Sequence, residues 1–122
     1  MPLLRPLDPE FPIARQLGIE AGPVVLVNLF TLAKEDEPAF LKIWQEDAGF
    51  MKRQPGFIST QLHRALGENP TYLNYAVWES TEAFRAAFSN PAFQAKLAAY
   101  PSSAVASPHL FEKIAVANIC VA

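Results

Sequence analysis

The sequence predicts an α+β fold of order β-α-β-β-α-β, and three observations carry that reading. A β-branched run, Val24-Val25-Leu26-Val27-Asn28-Leu29-Phe30, is followed by a segment with helical spacing. Two strand-like stretches then flank one tight turn, Gly67-Glu68-Asn69-Pro70. A second helical stretch and a last apolar run close the chain.

Each element has a local cause. The run 24–30 is apolar on both parities except at Asn28, so both faces of that strand should be covered. Lys34-Glu35-Asp36-Glu37-Pro38 opens a helix, because acids suit the positive end of the helix dipole and proline suits the first turn. Phe40, Ile43/Trp44, Asp47/Ala48 and Met51 recur at helical spacing until Gln54-Pro55-Gly56 stops them. Phe57–Arg64 and Thr71–Glu79 read as an antiparallel pair of strands, the first alternating less cleanly. Ser80 or Thr81 caps a second helix with Phe84, Ala87 and Phe88 on one side. Asn90-Pro91 starts a short further helix carrying Phe93, Leu97 and Tyr100. Pro101–Pro108 is expected to be loop, Leu110–Val116 the last strand, and Ala117–Ala122 a tail.

This order is the ferredoxin-like split unit: a four-stranded antiparallel sheet with the helices on one face. The other sheet face, apolar as well, would be too large to leave bare, which points to a homodimer through the open face. Residues 1–22 hold Pro2, Pro6, Pro9 and Pro12 and end at the Gly22-Pro23 step. They read as an extended proline-rich arm with a short turn at Ile13–Leu17, ahead of the domain at 23–122. The arm's apolar residues, among them Leu3, Leu4 and Phe11, should lie along this domain or a partner subunit.

Composition excludes several classes. Of 122 residues, 51% are hydrophobic and 18% charged, enough apolar matter for a core and too little charge for disorder. The net charge is -2 and no basic stripe occurs, so a nucleic-acid partner has no electrostatic footprint. Cys120 is the sole cysteine, which rules out an intrachain disulfide and a thiolate metal cluster. The N-terminal residues lack a signal-peptide core, and no apolar run has the length of a membrane span, so no membrane partner and a cytoplasmic location are expected.

The candidate site follows from strand parity. Val24, Leu26, Asn28 and Phe30 share one face of the first strand, and Tyr72, Asn74, Ala76 and Trp78 one face of the third. These strands are central neighbours in this fold, so Asn28 and Trp78 are expected to sit close together, facing Trp44, Phe84, Phe88 and Phe93. Trp78 alone is an ordinary core residue. A buried amide such as Asn28 needs a partner, which a water, a backbone group or a ligand can supply. Tyr72, Leu97 and His109 join the expected pocket or its rim by facing. His63 and His109 lack metal-ligand spacing, and no Ser-His-Asp, P-loop or dinucleotide motif is readable. Arg85, Glu46, Asp47 and Glu79 are expected to face water.

Val25-Leu26-Val27-Asn28-Leu29-Phe30-Thr31, the helix end Gln54-Pro55-Gly56-Phe57, and Val77-Trp78-Glu79-Ser80 followed by Ala83-Phe84 together resemble the antibiotic biosynthesis monooxygenase (ABM) domain family. The resemblance spans about residues 23–117 and implies a dimeric α+β barrel. It implies a cofactor-independent monooxygenase that oxidises a hydrophobic aromatic small molecule of the polyphenol or quinol type with O2, with Asn28 and Trp78 as catalytic residues. Family members that degrade haem use a histidine on the short helix, near Leu97 in this chain. Leucine stands there, so haem is disfavoured unless His109 or Tyr100 replaced that ligand. Since the family also holds members without demonstrated activity, a non-enzymatic dimeric ligand-binding or stress protein is the alternative.

Overall fold

The computed structural model describes residues 2–122. Its elements are β1 (Leu3–Leu4), α1 (Ile13–Gln16), β2 (Val24–Thr31), α2 (Glu37–Lys52, after a 3₁₀ turn at Lys34–Asp36), β3 (Phe57–Arg64), β4 (Thr71–Trp78), α3 (Thr81–Phe88), α4 (Pro91–Ala98) and β5 (Val105–Phe111). The sheet order is β1-β5-β2-β4-β3. β2 through β5 pair antiparallel in the ferredoxin-like order, with β2 and β4 at the centre.

Two expectations need correction. The sheet has five strands, not four, and is mixed, because Leu3 and Leu4 of the arm pair in parallel with Val105 and Ala106. The last strand occupies 105–111, most of it inside the expected loop. Pro108 falls within this strand, yet it costs no ladder bond to β2. Ala104 and Ala106 direct their carbonyls to β1, accepting from Leu3 N and Arg5 N. Pro108 has the same parity, so its missing N–H lies on the edge that β1 no longer covers.

Local chemistry sets the boundaries of the helices. Ser80 Oγ accepts from Ala83 N at 3.1 Å and Asn90 Oδ1 from Ala92 N at 2.9 Å, capping α3 and α4. Gly56 joins α2 to β3 with φ +85°, and a Cβ there would lie 2.4 Å from Ala83 Cβ. Only glycine allows this turn to press on α3. A bulge between Phe57 and Ser59 then switches parity in β3, so Phe57, Thr60 and Leu62 share the helix-covered side, which explains the imperfect alternation in the sequence.

The arm packs on its own chain. Ile13 is buried, Thr81 N donates to Ala21 O at 2.9 Å, and Arg85 Nη1 donates to Leu17 O at 2.7 Å. Arg85 was expected in water; instead it ties the arm to α3. The far face of the sheet carries Tyr75 and Phe111 at 40% and 41% exposure, beside half-buried Val27, Leu29 and Leu73. No helix among the described residues is long and apolar enough to cross a membrane.

Candidate active site

The helix-covered side of the sheet is not one continuous core. Trp78, Phe84, Val24, Leu26, Ala76, Ala87, Leu110 and Ile13 form one buried cluster, with Met51, Phe57 and Phe88 against it. Phe30, Phe40, Ile43, Tyr72, Tyr100 and Ala106 form a second, with Trp44, Leu62 and Leu97 against it. The residue between the two clusters is polar on four elements. Asn28 separates Leu26 from Phe30 on β2, and Asn74 separates Ala76 from Tyr72 on β4. Thr60 lies between Phe57 and Leu62 on β3, and Asp47 between Trp44 and Met51 on α2. β5 has Pro108 at the same level, between Ala106 and Leu110. The sequence therefore builds two apolar clusters and a polar seam.

A cavity runs along that seam. Asn28, Asn74, Thr60 and Asp47 line it with Trp44, Phe88, Phe93 and Leu97, while Trp78 and Phe84 wall one end and Phe30 and Tyr100 the other. Its volume is about 60 Å³, within about 700 Å³ of space between the lining atoms out to the mouth. The lining is mainly aromatic and aliphatic with a few convergent polar groups, the composition expected of a small-molecule site.

The polar groups are only partly satisfied. Asn28 and Asn74 are direct cross-strand partners. Thr60 Oγ1 donates to Asn74 Oδ1 at 2.5 Å, which leaves Asn74 its N–H donors for a ligand. Asn28 Oδ1 is buried without a partner. Tyr100 donates its hydroxyl to Asp47 Oδ2 at 2.6 Å, whereas Asp47 Oδ1 is buried without a partner. Burial pushes the Asp47 carboxyl up to about 6, against the Tyr100 hydrogen bond and the Lys96 charge, which both favour the carboxylate. Burial, then the Asp47 charge, raises the Tyr100 hydroxyl well above the ordinary phenol range. Each unpaired buried polar atom costs about 1–3 kcal/mol, a cost a ligand could offset.

Of the residues singled out in the sequence, Asn28, Trp78, Trp44, Phe84, Phe88, Phe93 and Leu97 line this cavity. Asn28 and Trp78 share its face but are not neighbours. Trp78 pairs with Val24, four residues or roughly 13 Å of strand from Asn28. Trp78 is 1% exposed and meets Phe57 and Phe84 edge-on, at 5.4 and 5.6 Å between centroids. It is both core and end wall.

Two candidates lie elsewhere. The Tyr72 ring is closed in by Phe40, and its hydroxyl donates to Glu37, which also pairs with Arg64 at 2.6 Å. The Arg64 hydrogen bond, then that of Tyr72, holds the Glu37 carboxyl below its ordinary range. His109 falls on the opposite parity of β5 from Pro108, outside the cavity. Leu110 N and O fix the Gln16 amide at 2.8 and 3.0 Å, so Gln16 Nε2 donates to His109 Nε2 at 3.1 Å. Parity placed Asn74 on the shared face without marking it as a site residue, and Thr60 and Asp47 are further functional candidates that neither parity nor charge selected. Asp47 was expected in water, but it sits on the buried stripe of α2. The signal available in the sequence was one polar residue interrupting each apolar stripe, and the strand pairing brings these residues to one level.

The pattern of the family described as antibiotic biosynthesis monooxygenase matches residues 23–99. The chain belongs to this family. A relative from Streptomyces nogalater, deoxynogalonate monooxygenase, is 39% identical over 77 residues, which cover 62% of this chain and 64% of that one. The match thus spans less than two thirds of that relative's length. The crystal structure of SnoaB, a cofactor-independent oxygenase from Streptomyces nogalater, aligns with a TM-score of 0.70 and 31% identity, over 80% of this chain and 99% of that one. A SnoaB variant with one asparagine replaced by alanine aligns at 0.69, with 30% identity over 80% and 99%. The ABM match spans β2 to just past α4, so it includes every polar residue of the seam.

Neither histidine lines the cavity, and Leu97 does. The residues therefore do not fit a haem held by a histidine from α4.

Proposed function

We propose that the chain is a cofactor-independent monooxygenase that oxidises a hydrophobic aromatic small molecule, of the polyphenol or quinol type, with O2. The polar seam between two aromatic clusters carries this reading. The names of the similar proteins support it: one is a monooxygenase and another a cofactor-independent oxygenase. In such chemistry the ionised substrate is itself the reductant, so the protein must bind it, exclude water and steady the charge that passes to oxygen. Trp44, Phe88 and Phe93 supply ring faces for a flat substrate. Asn28 and Asn74 can direct N–H donors at the seam, where an anionic oxygen species would form. Trp78 closes the end of the cavity and keeps it dry.

The cavity's small volume favours a second reading, in which the fold binds a small ligand without turnover. Under either reading we expect a homodimer formed through the open sheet face, which would cover Tyr75 and Phe111. Oxygen uptake with a panel of anthrones and hydroquinones separates the two readings. Uptake that falls in both Asn28→Ala and Trp78→Phe supports the oxygenase. No uptake, or rates in both variants equal to wild type, sinks it.

A further inference from the structure

Among the described residues Asp47 carries the one carboxyl on the cavity wall, and its surroundings distinguish it from a structural tether. Its Oδ2 is taken up by the Tyr100 hydroxyl at 2.6 Å, which fixes the plane of the carboxyl. Its Oδ1 is buried without a partner, on a residue that lines the same cavity as Asn28 and Asn74. A tether needs only one oxygen. An acceptor packed without a partner behind a cavity wall is stable only at a cost, and that cost is relieved when the wall shifts enough for a ligand to bring an acidic hydrogen to it.

We propose that Asp47 is the general base of the pocket, its Oδ1 accepting the proton from the acidic C–H of a bound anthrone-type substrate. The proposal rests on the oxygenase reading above and gives that reaction its proton path. Asp47 takes one proton from the ring CH2, and the electron pair stays on carbon. The carbanion passes one electron to O2, and the radical pair joins to form the C–O bond. The resulting peroxide anion recovers the proton from Asp47. Loss of the second C–H proton to Asp47 then breaks the O–O bond. Carbon keeps one oxygen as C=O, and the other leaves as hydroxide and becomes water with the proton from Asp47. One CH2 and one O2 become one C=O and one H2O, with no other reductant.

The carboxyl's position near pH 6 suits this role, since it is ionised at neutral pH yet a stronger base than an ordinary aspartate. The titratable groups acting on it are Tyr100, two residues past α4, and Lys96, on α4. Both favour the carboxylate, and burial opposes them.

The first proton transfer needs no oxygen, so it can be observed separately from turnover. Dithranol (1,8-dihydroxyanthrone) is mixed anaerobically with the protein, and the anthrolate absorbance is followed between pH 5 and 8. Binding is followed by tryptophan fluorescence and turnover by oxygen uptake. In the wild type the rate of anion formation should rise with pH through a midpoint near 6 and then level off. In Asp47→Asn it should fall by about 10²–10⁴-fold, the range for a lost general base, and the midpoint should vanish while binding changes little. In Tyr100→Phe the midpoint should move upward, because a bond that favours the carboxylate is gone. A merely structural Asp47 would move neither midpoint. Anion formation in Asp47→Asn at the wild-type rate, or an unmoved midpoint in Tyr100→Phe, overturns the assignment while leaving the oxygenase reading intact. A wild type that neither forms the anion nor takes up oxygen overturns both.

Discussion

The Trp78 end of the cavity and its polar seam are built on opposite principles. At the Trp78 end, aromatic rings meet edge to face, Trp78 is 1% exposed, and the arm closes over the junction through Ala21 and Thr81. At the seam beside it, Asn28 Oδ1 and Asp47 Oδ1 are buried with no partner. The first arrangement maximises stability, and the second gives some of it up. Native proteins depart from full polar satisfaction mostly where function requires it. His109 Nδ1 is likewise buried without a partner, outside the cavity, so what marks the seam is that two such atoms belong to one cavity wall.

The contrast can be broken from either end. The largest effect should come from Trp78→Ala, which removes a fully buried indole and should cost about 3–5 kcal/mol in denaturant unfolding. Next, Asn28→Ala should lower oxygen uptake about 10²–10³-fold, the range for a lost oxyanion donor, with little change in melting temperature. An equal stability loss in both variants would erase the distinction between the end wall and the seam.

Asp47→Asn sharpens the comparison through pH. The folded carboxyl is raised from 3.8 to about 6, so the folded state holds its proton more tightly than the unfolded chain. Stability from this group is full below about pH 4 and is lost as pH rises through 6. At pH 7.5 the asparagine variant should be more stable than wild type by about 1–3 kcal/mol, and the gain should shrink toward pH 4 in thermal melts. A variant less stable at every pH would make Asp47 a structural tether. The smallest effect belongs to Ser80→Ala, which removes the α3 cap behind Trp78. It should cost about 1 kcal/mol and leave oxygen uptake unchanged.

Much of this was legible in the residues. The β-branched run at 24–30, the caps at Ser80 and Asn90 and the parity of Asn28 and Trp78 gave the central strands, the helices and the shared face. β5 was misplaced because Pro108 excludes an inner strand, and only the short reach of β1 makes its position an edge. Leu3 and Leu4 were too few to announce a strand. Asp47 was misjudged because a carboxylate among Glu46 and Lys52 reads as solvated until the packing of Tyr100 and Met51 is known. Tyr72 and His109 have sequence positions compatible with a pocket, but their hydrogen bonds to Glu37 and Gln16 draw them elsewhere. Nothing in a single strand's pattern reports that four polar residues lie at one level.

The most direct test fills the seam. In Asn28→Leu, an apolar side chain replaces the amide and would join the two clusters across the gap on β2. Oxygen uptake with dithranol as probe is the measurement. The seam account predicts uptake at least about 10²-fold below wild type in a protein that still folds. Uptake at the wild-type rate in Asn28→Leu would contradict it.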